Sequence, residues 1–438
     1  MTWQHVKLSD VCNFSSEKIE VSKLSLNNYI STENMLPNKA GVCCSANLPN
    51  TFHAVAFHVG NILVSNIRPY FKKIWYADFN GGCSNDVLVF QANENIDKSF
   101  LYYVLSSDSF VDYDVAMAKG TKMPRGDKAA IMQYQFLLPP LDIQKKIAAV
   151  LCALDDKIEL NNKINSNLEQ QAQALFKSWF IDFEPFGGVM PKDWKIGTFS
   201  EIIIDTIGGD WGKDKIQNNY TEEVYCIRGA DIPDVKIGSK GKMPKRYILI
   251  KNYSSKKLLA GDLVVEISGG SPTQSTGRIA AISDYLLSRY NDKIICTNFC
   301  RALKPKQNYS EFIYHYWQYL YDKNVFFSYE NGTTGIKNLD ISGFLETEQI
   351  NIPSYESLKT FSELCDKFFK QIYSNGAENE KLSALRDTLL PKLMKGEIDV
   401  SAVPLPTSCV SDCHGDKSPC NDAGSLSANK LSISEASQ

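Results

Sequence analysis

The chain has 438 residues, of which 43% are apolar and 22% charged, and a net charge of -3. That length allows two or three domains with cores of their own, and the composition is ordinary for a globular protein, so any nucleic-acid binding must come from local patches. No apolar run is long enough to cross a bilayer, and Met1 to Asp10 lacks a basic stretch followed by an apolar one, so a cytoplasmic protein without a signal peptide is expected.

Residues 1–140 read as a first α+β globule with a mostly β platform. Buried-strand runs occur at Ile62–Ile67 and Asp86–Phe90, and an aromatic-rich helix starts at Phe100. Positive charge collects in two loops. Arg68, Tyr70, Lys72 and Lys73 interleave an aromatic ring with cations, and Lys119, Thr121, Lys122, Arg125 and Lys128 form a Gly-containing basic segment. Loop cations of this kind contact phosphates, and Arg side chains reach base edges.

Pro139-Pro140 then opens a segment without Pro or Gly, and 141–182 is predicted as one long helix. Its stripe includes Ile143, Ile147, Leu154, Ile164, Leu168 and Leu175. At 1.5 Å per residue it reaches roughly 60 Å, too long to bury that stripe without a partner of similar length. A distal helix over 354–397 supplies one, with Phe361, Phe368, Leu382, Leu389 and Leu393 on its stripe. An antiparallel pairing that sets Ile143 beside Leu393, Leu168 by Phe368 and Asn161 near Asn375 matches apolar to apolar and polar waist to polar waist. Gly376, in that waist, is expected to weaken the helix by about 1 kcal/mol and to mark a kink.

Between the helices, 183–353 repeats the first globule. Trp3–Val11 resembles Trp194–Ile202, and Phe57–Ser65 resembles Leu259–Glu266. Cys83-Ser84-Asn85-Asp86 matches Cys296-Thr297-Asn298-Phe299, the helix at Phe100 matches that at Phe312, Lys119-Gly120-Thr121 matches Asn331-Gly332-Thr333, and Leu138-Pro139 matches Ile352-Pro353. Two tandem α+β globules, each followed by a helix and with the helices paired antiparallel, make a pseudo-twofold molecule. The candidate polyanion contacts of the second globule are Lys242, Lys245, Arg246, Ser271, Gln274, Arg278, Thr333, Thr334 and Lys337. Residues 398–438 turn Ser, Asn, Pro and Asp rich and are predicted as a disordered tail.

Catalytic signatures are missing. The chain has no Gly-x-Gly-x-x-Gly after a strand, no Gly-Lys-Ser/Thr phosphate loop, no His-Glu-x-x-His helix and no Asn/Asp-Pro-Pro-Tyr sequence. Ser268 to Arg278 lacks the Lys of a phosphate cradle and reads as a recognition loop. Cys409, Cys413, His414 and Cys420 are irregularly spaced for zinc, so a free-thiol tail and no metal site are expected. The remaining cysteines, scattered singly through apparent strands and helices, read as reduced core thiols. His315, on the aromatic helix, reads as structural.

The order globule, long helix, globule, long helix resembles the specificity (S) subunit of type I restriction-modification systems. Three stretches carry the resemblance: Trp3–Val11 with its repeat at Trp194; Leu138–Ala148 entering the central helix; and Leu175–Phe186 together with Leu385–Ile398. It implies a non-catalytic protein whose globules are target-recognition domains, each reading half of a bipartite double-stranded DNA site. The helix pair would act as a ruler for the unread spacer. The same resemblance implies two methyltransferase (M) subunits carrying S-adenosylmethionine and restriction (R) subunits using ATP and Mg, with no cofactor in this chain. The alternative from the residues alone is a DNA-independent scaffold or regulator built on the helix pair.

Overall fold

The structure, a computed structural model, describes residues 3–271, 274–332 and 336–405. The chain divides into two compact units, residues 1–156 with the chain from Ala384 onward, and residues 157–383. Each is an α+β body, and the long helices Leu141–Phe180 and Tyr355–Met394, 40 residues each, contribute one end to each unit.

In unit one, strand Gln4–Lys7 pairs antiparallel with Gln135–Leu138 and so closes the body just before the first long helix. Behind it lies an antiparallel sheet in the order Cys12–Phe14, Val87–Ala92, Ile62–Ser65, Ile74–Tyr76. A second sheet runs Lys18–Glu20, His53–Phe57, Gly81–Cys83, Tyr29–Ile30, its last pair parallel. The core gathers Leu8, Ile62, Phe90, Phe100 and Phe110 around Ile147 and Leu151 of the first long helix and Leu390 and Leu393 of the second. Their burial from both helices is what holds the helix ends to the sheet.

Unit two repeats the plan. Lys195–Thr198 pairs antiparallel with Gln349–Ile352, and the central sheet runs Ile203–Gly208, Cys300–Pro305, Leu263–Glu266, Ile279–Ala281. These correspond strand for strand to the first copy. Even the turns agree: Gly60 and Gly261 adopt φ of +84° and +86°, a left-handed conformation that favours glycine. The Asn61 Oδ1 accepts from the His58 amide at 2.8 Å, as the Asp262 Oδ2 does from Leu259 at 2.6 Å. The copies diverge in the second sheet, which in unit two is Lys245–Leu249, Tyr220–Ile227, Ile294–Cys296, and in a small sheet of Ser268–Gly269, Lys337–Leu339 and Glu330–Asn331.

The helix stripe sits partly out of the expected phase. Ile147, Phe361 and Leu393 are buried, and Ile143, Leu154, Leu168, Leu175, Phe368, Leu382 and Leu389 are half-buried. Ile164, expected in the seam, is exposed. Its place is taken by polar residues: Asn375 Nδ2 donates to Asn165 Oδ1 at 2.8 Å, and Asn161 Nδ2 donates to Glu378 and Asn379, both at 2.8 Å. Asn375 therefore meets Asn165 and not Asn161, a displacement of one helical turn from the expected register. In unit one, Arg386 pairs with Asp155 at 2.6 Å. A buried polar seam sets register at a cost that an apolar count cannot register, and here the Asn161 Oδ1 remains buried without a hydrogen-bond partner.

Gly376 marks a close approach. A Cβ there would lie 2.3 Å from the backbone carbonyl of Gly238, and one on Gly238 would lie 2.3 Å from the Ile372 carbonyl oxygen. The turn after helix Ile232–Lys236 thus lies backbone to backbone on the second long helix. Arg289 donates to the Gly238 carbonyl at 2.9 Å and pairs with Glu380 at 3.3 Å, and Glu380 also accepts from the Lys240 amide at 2.7 Å.

Residues 398–405, expected to open the tail, fold back on unit one: Val400 is buried, and Ile398 and Val403 lie against the same core. The tail residues Cys409, Cys413, His414 and Cys420, expected as free thiols and an unligated histidine, lie outside the described residues. Cys12, Cys83, Cys152, Cys226, Cys296, Cys300 and Cys365 are buried free thiols.

Candidate nucleic-acid interface

In unit one the two basic loops come together at one end of the central sheet. The Arg68 amide donates to the Pro124 carbonyl at 2.8 Å and the Gly126 amide to the Asn66 carbonyl at 3.1 Å. Lys119 and Arg125 exchange both backbone hydrogen bonds, making a small hairpin that projects Thr121 and Lys122. Both of those residues are exposed, as is Lys128 at the start of the short helix Lys128–Ile131. Arg68 and Lys72 take left-handed φ of +51°, flanking the turn Pro69–Phe71 that exposes Tyr70 beside Phe71.

Acidic neighbours temper this surface. Lys72 pairs with Asp108 at 2.7 Å, Lys119 with Asp127 at 2.6 Å and Arg125 with Asp86 at 3.2 Å, while Lys73 donates to the Thr32 carbonyl at 2.6 Å. The Asp127 hydrogen bond raises the Lys119 ammonium above its ordinary range. These pairs are solvent-exposed on at least one side, so they orient the cations and are open to exchange for phosphate. Beneath the hairpin, buried Asp114 is pushed up to about 6 by desolvation; a Cβ on Gly126 would lie 2.4 Å from its Oδ1.

In unit two the expected cations divide. Lys242 and Lys245 are exposed, the latter 3.3 Å from Glu223. Arg246 is not a surface contact: it is buried, stacks 4.2 Å over the Trp211 ring, donates to the Trp211 carbonyl at 2.8 Å and pairs with Asp214. Arg278 is likewise committed, its two nitrogens 2.8 Å and 2.7 Å from the buried Glu266 carboxylate, which holds the guanidinium above its ordinary range. Arg278 answers a buried carboxylate and Arg246 is itself buried against Trp211, commitments that the local sequence does not display. Lys337 pairs with Glu330 at 2.7 Å over the Phe327 ring, and Glu330 also accepts from the Thr276 amide. Ser271 and Gln274 close a turn by Ser271 N to Gln274 O at 2.7 Å, and Gln274 is exposed. Thr333 and Thr334 lie outside the described residues.

Residues missed from the sequence include Asp86, Lys39, whose amide donates to the Lys72 carbonyl at 2.9 Å, and Phe299, 60% exposed at the matching sheet end of unit two. The repeated Cys-x-Asn spacing before Asp86 and Phe299 was the available signal. His315, buried beside Phe176 and Phe369, faces Gln173 at 3.0 Å, and burial pushes its imidazole down to about 3. Among the described residues no group of three His, Cys, Asp or Glu side chains is placed to hold a metal ion, and no helix is long and apolar enough to cross a membrane.

Two α+β copies with one strand order, each carrying polar loops at the same sheet end, define a tandem recognition fold. The chain belongs to the type I restriction modification DNA specificity domain family, which matches residues 1–170 and 191–384. It is 26% identical to the type I restriction enzyme HindI specificity subunit of Haemophilus influenzae, over 90% of this chain and 99% of that protein. It is 27% identical to the MjaIX specificity subunit of Methanocaldococcus jannaschii, over 70% of each. The crystal structure of the type I restriction-modification S subunit from M. genitalium aligns with a TM-score of 0.47 at 17% identity, covering 90% of this chain and 96% of that one. The protein is thus a specificity subunit, one that recognises DNA sequence.

Proposed function

We propose that each unit reads one half of a bipartite duplex target and that the chain does no chemistry itself. The observation that supports this most is the repetition of one sheet end with its loops: Asn66 O accepts from Gly126 N in the first copy, as Ile267 O accepts from Leu339 N at 2.8 Å in the second. One scaffold therefore presents two different loop sets. The cations Lys119, Lys122 and Lys128, with Lys242 and Lys245, supply phosphate contacts, and Arg125 and exposed polar side chains such as Gln274 supply base contacts.

On this reading the chain docks two M subunits, which bring S-adenosylmethionine and methylate adenine in each half-site, and R subunits, which use ATP and Mg to translocate and cut. No cofactor is assigned to this chain. Mapping methylated adenines in the source genome, with and without this gene, tests the proposal. A split motif that disappears with the gene is expected. An unchanged methylation map, or a motif without a spacer, would rule it out and favour a DNA-independent scaffold.

A further inference from the structure

The two copies present the same turn at the reading end but arm it with opposite chemistry. In unit one, strand Gly81–Cys83 passes through Ser84-Asn85-Asp86 into strand Val87–Ala92. In unit two, strand Ile294–Cys296 passes through Thr297-Asn298-Phe299 into Cys300–Pro305. The backbone hydrogen bonds match one for one. Val87 N donates to Ser84 O at 3.0 Å and Cys300 N to Thr297 O at 2.9 Å; Asn66 N donates to Asp86 O at 2.8 Å and Ile267 N to Phe299 O at 2.9 Å.

Asp86 and Phe299 are therefore the same structural position. The strand facing them also corresponds, with Arg125 in one copy and Asn338 in the other, each just before the residue whose amide reaches back to Asn66 or Ile267. In unit one the position makes a polar pair, the Arg125 guanidinium 3.2 Å from Asp86. In unit two, Asn338 is turned aside by a hydrogen bond from the Ser268 hydroxyl, and Phe299 stands 60% exposed with Ile336, also 60% exposed, beside the same strand.

We infer that this turn is a specificity-determining position in both copies: Asp86 sets Arg125 for a base edge with hydrogen-bond acceptors, and Phe299 reads the methyl group of a thymine. The inference rests on the reading of two DNA half-sites proposed above. The chemistry of the base edges leaves little choice for Phe299. A benzyl side chain offers no donor or acceptor, and in the major groove the thymine C5 methyl is the one apolar feature a base presents. A guanidinium aligned by a carboxylate suits the paired acceptors of guanine. Keeping a large ring in water at the end of a well-packed sheet gains nothing for the fold, whereas covering a methyl with it does gain.

The test is selection from a randomised duplex library by the full chain assembled with its methyltransferase subunit, comparing wild type, Phe299→Ala and Asp86→Ala. Both side chains are at the surface, and thermal melting checks that the variants fold as the wild type does. Phe299→Ala is expected to lower the preference for thymine at one position of one half-site by about fourfold, the worth of one buried methyl, leaving the other half-site unchanged. Asp86→Ala is expected to relax one position of the other half-site only. Replacing that thymine by deoxyuridine should weaken wild-type binding by about fourfold and leave Phe299→Ala indifferent. Variants that select the same bases as wild type at both half-sites overturn the inference while leaving the two-half-site reading intact. A wild-type complex that selects no split sequence overturns that reading itself.

Discussion

Unit one carries its cations outward on a hairpin, whereas unit two draws its arginines into the body. Lys122 and Lys128 stand exposed on the loops of the first copy, but Arg246 and Arg278 of the second are spent on Asp214 and Glu266. The central sheets that carry these loops agree in strand order and in the turns at Gly60 and Gly261. Duplication has thus preserved what buries apolar surface and left free what faces solvent. Charge that looks equivalent along the sequence stands in solvent in one copy and, at the two arginines, has become internal bracing in the other.

The sharpest break of this comparison is at the second unit's attachment to its helix. Gly376→Val would drive a side chain into the Gly238 backbone, and is expected to destabilise unit two by about 4 kcal/mol or more in denaturant unfolding. A loss under about 0.5 kcal/mol would mean that the close approach is dispensable.

Next come the buried ionisable groups, which set opposite pH dependences in the two copies. His315 is held near 3 against an ordinary 6.5, so the folded chain keeps it neutral while the unfolded chain takes up a proton between those values. Its stability contribution is whole above 6.5 and is lost as pH falls through that window. His315→Gln should therefore be less acid-sensitive, by about 3 kcal/mol at pH 4. Asp114 is raised from 3.8 to about 6, so the folded chain holds a proton that the unfolded chain releases, and stability falls as pH rises through that range. Asp114→Asn is expected to gain roughly 3 kcal/mol at pH 7 and nothing below the unfolded value. Parallel stability-against-pH curves for variant and wild type would contradict either assignment.

The smallest effect separates the two kinds of cation. Lys122→Ala should leave melting unchanged and lower the slope of log affinity against log salt by about one. Arg246→Ala should lose about 1–2 kcal/mol of stability, because it leaves the Trp211 carbonyl and ring uncovered. The reverse pattern would place Arg246 at the DNA.

What the sequence revealed follows the range of the forces involved. Strand runs, the Gly turns and the two helices without internal glycine or proline over most of their length depend on neighbours a few residues away, and they were legible. The seam was less so. Ile164 belongs to the apolar stripe by spacing, but Asn165 finds Asn375 across the helix pair, and that partner is 210 residues away in sequence. Gly376 is a weakness by helix propensity alone, but the Gly238 backbone lies against it from 138 residues away. The basic segments are visible in the sequence, yet which cations are free depends on Asp214, Glu266 and Glu330, none adjacent to the residue it binds.

Gly396, at φ +71°, lies where an added Cβ would come within 3.1 Å of the Trp3 ring. The segments around Trp3 and Gly396 are thus neighbours in space, and the first body is assembled from two stretches of the chain separated in sequence by all of residues 157–383. A chain cut after residue 383 forfeits Leu390, Leu393 and Val400 from that core, so neither half of the sequence owns a complete first body. Position along the gene and membership of a folded body are, in this protein, separate properties.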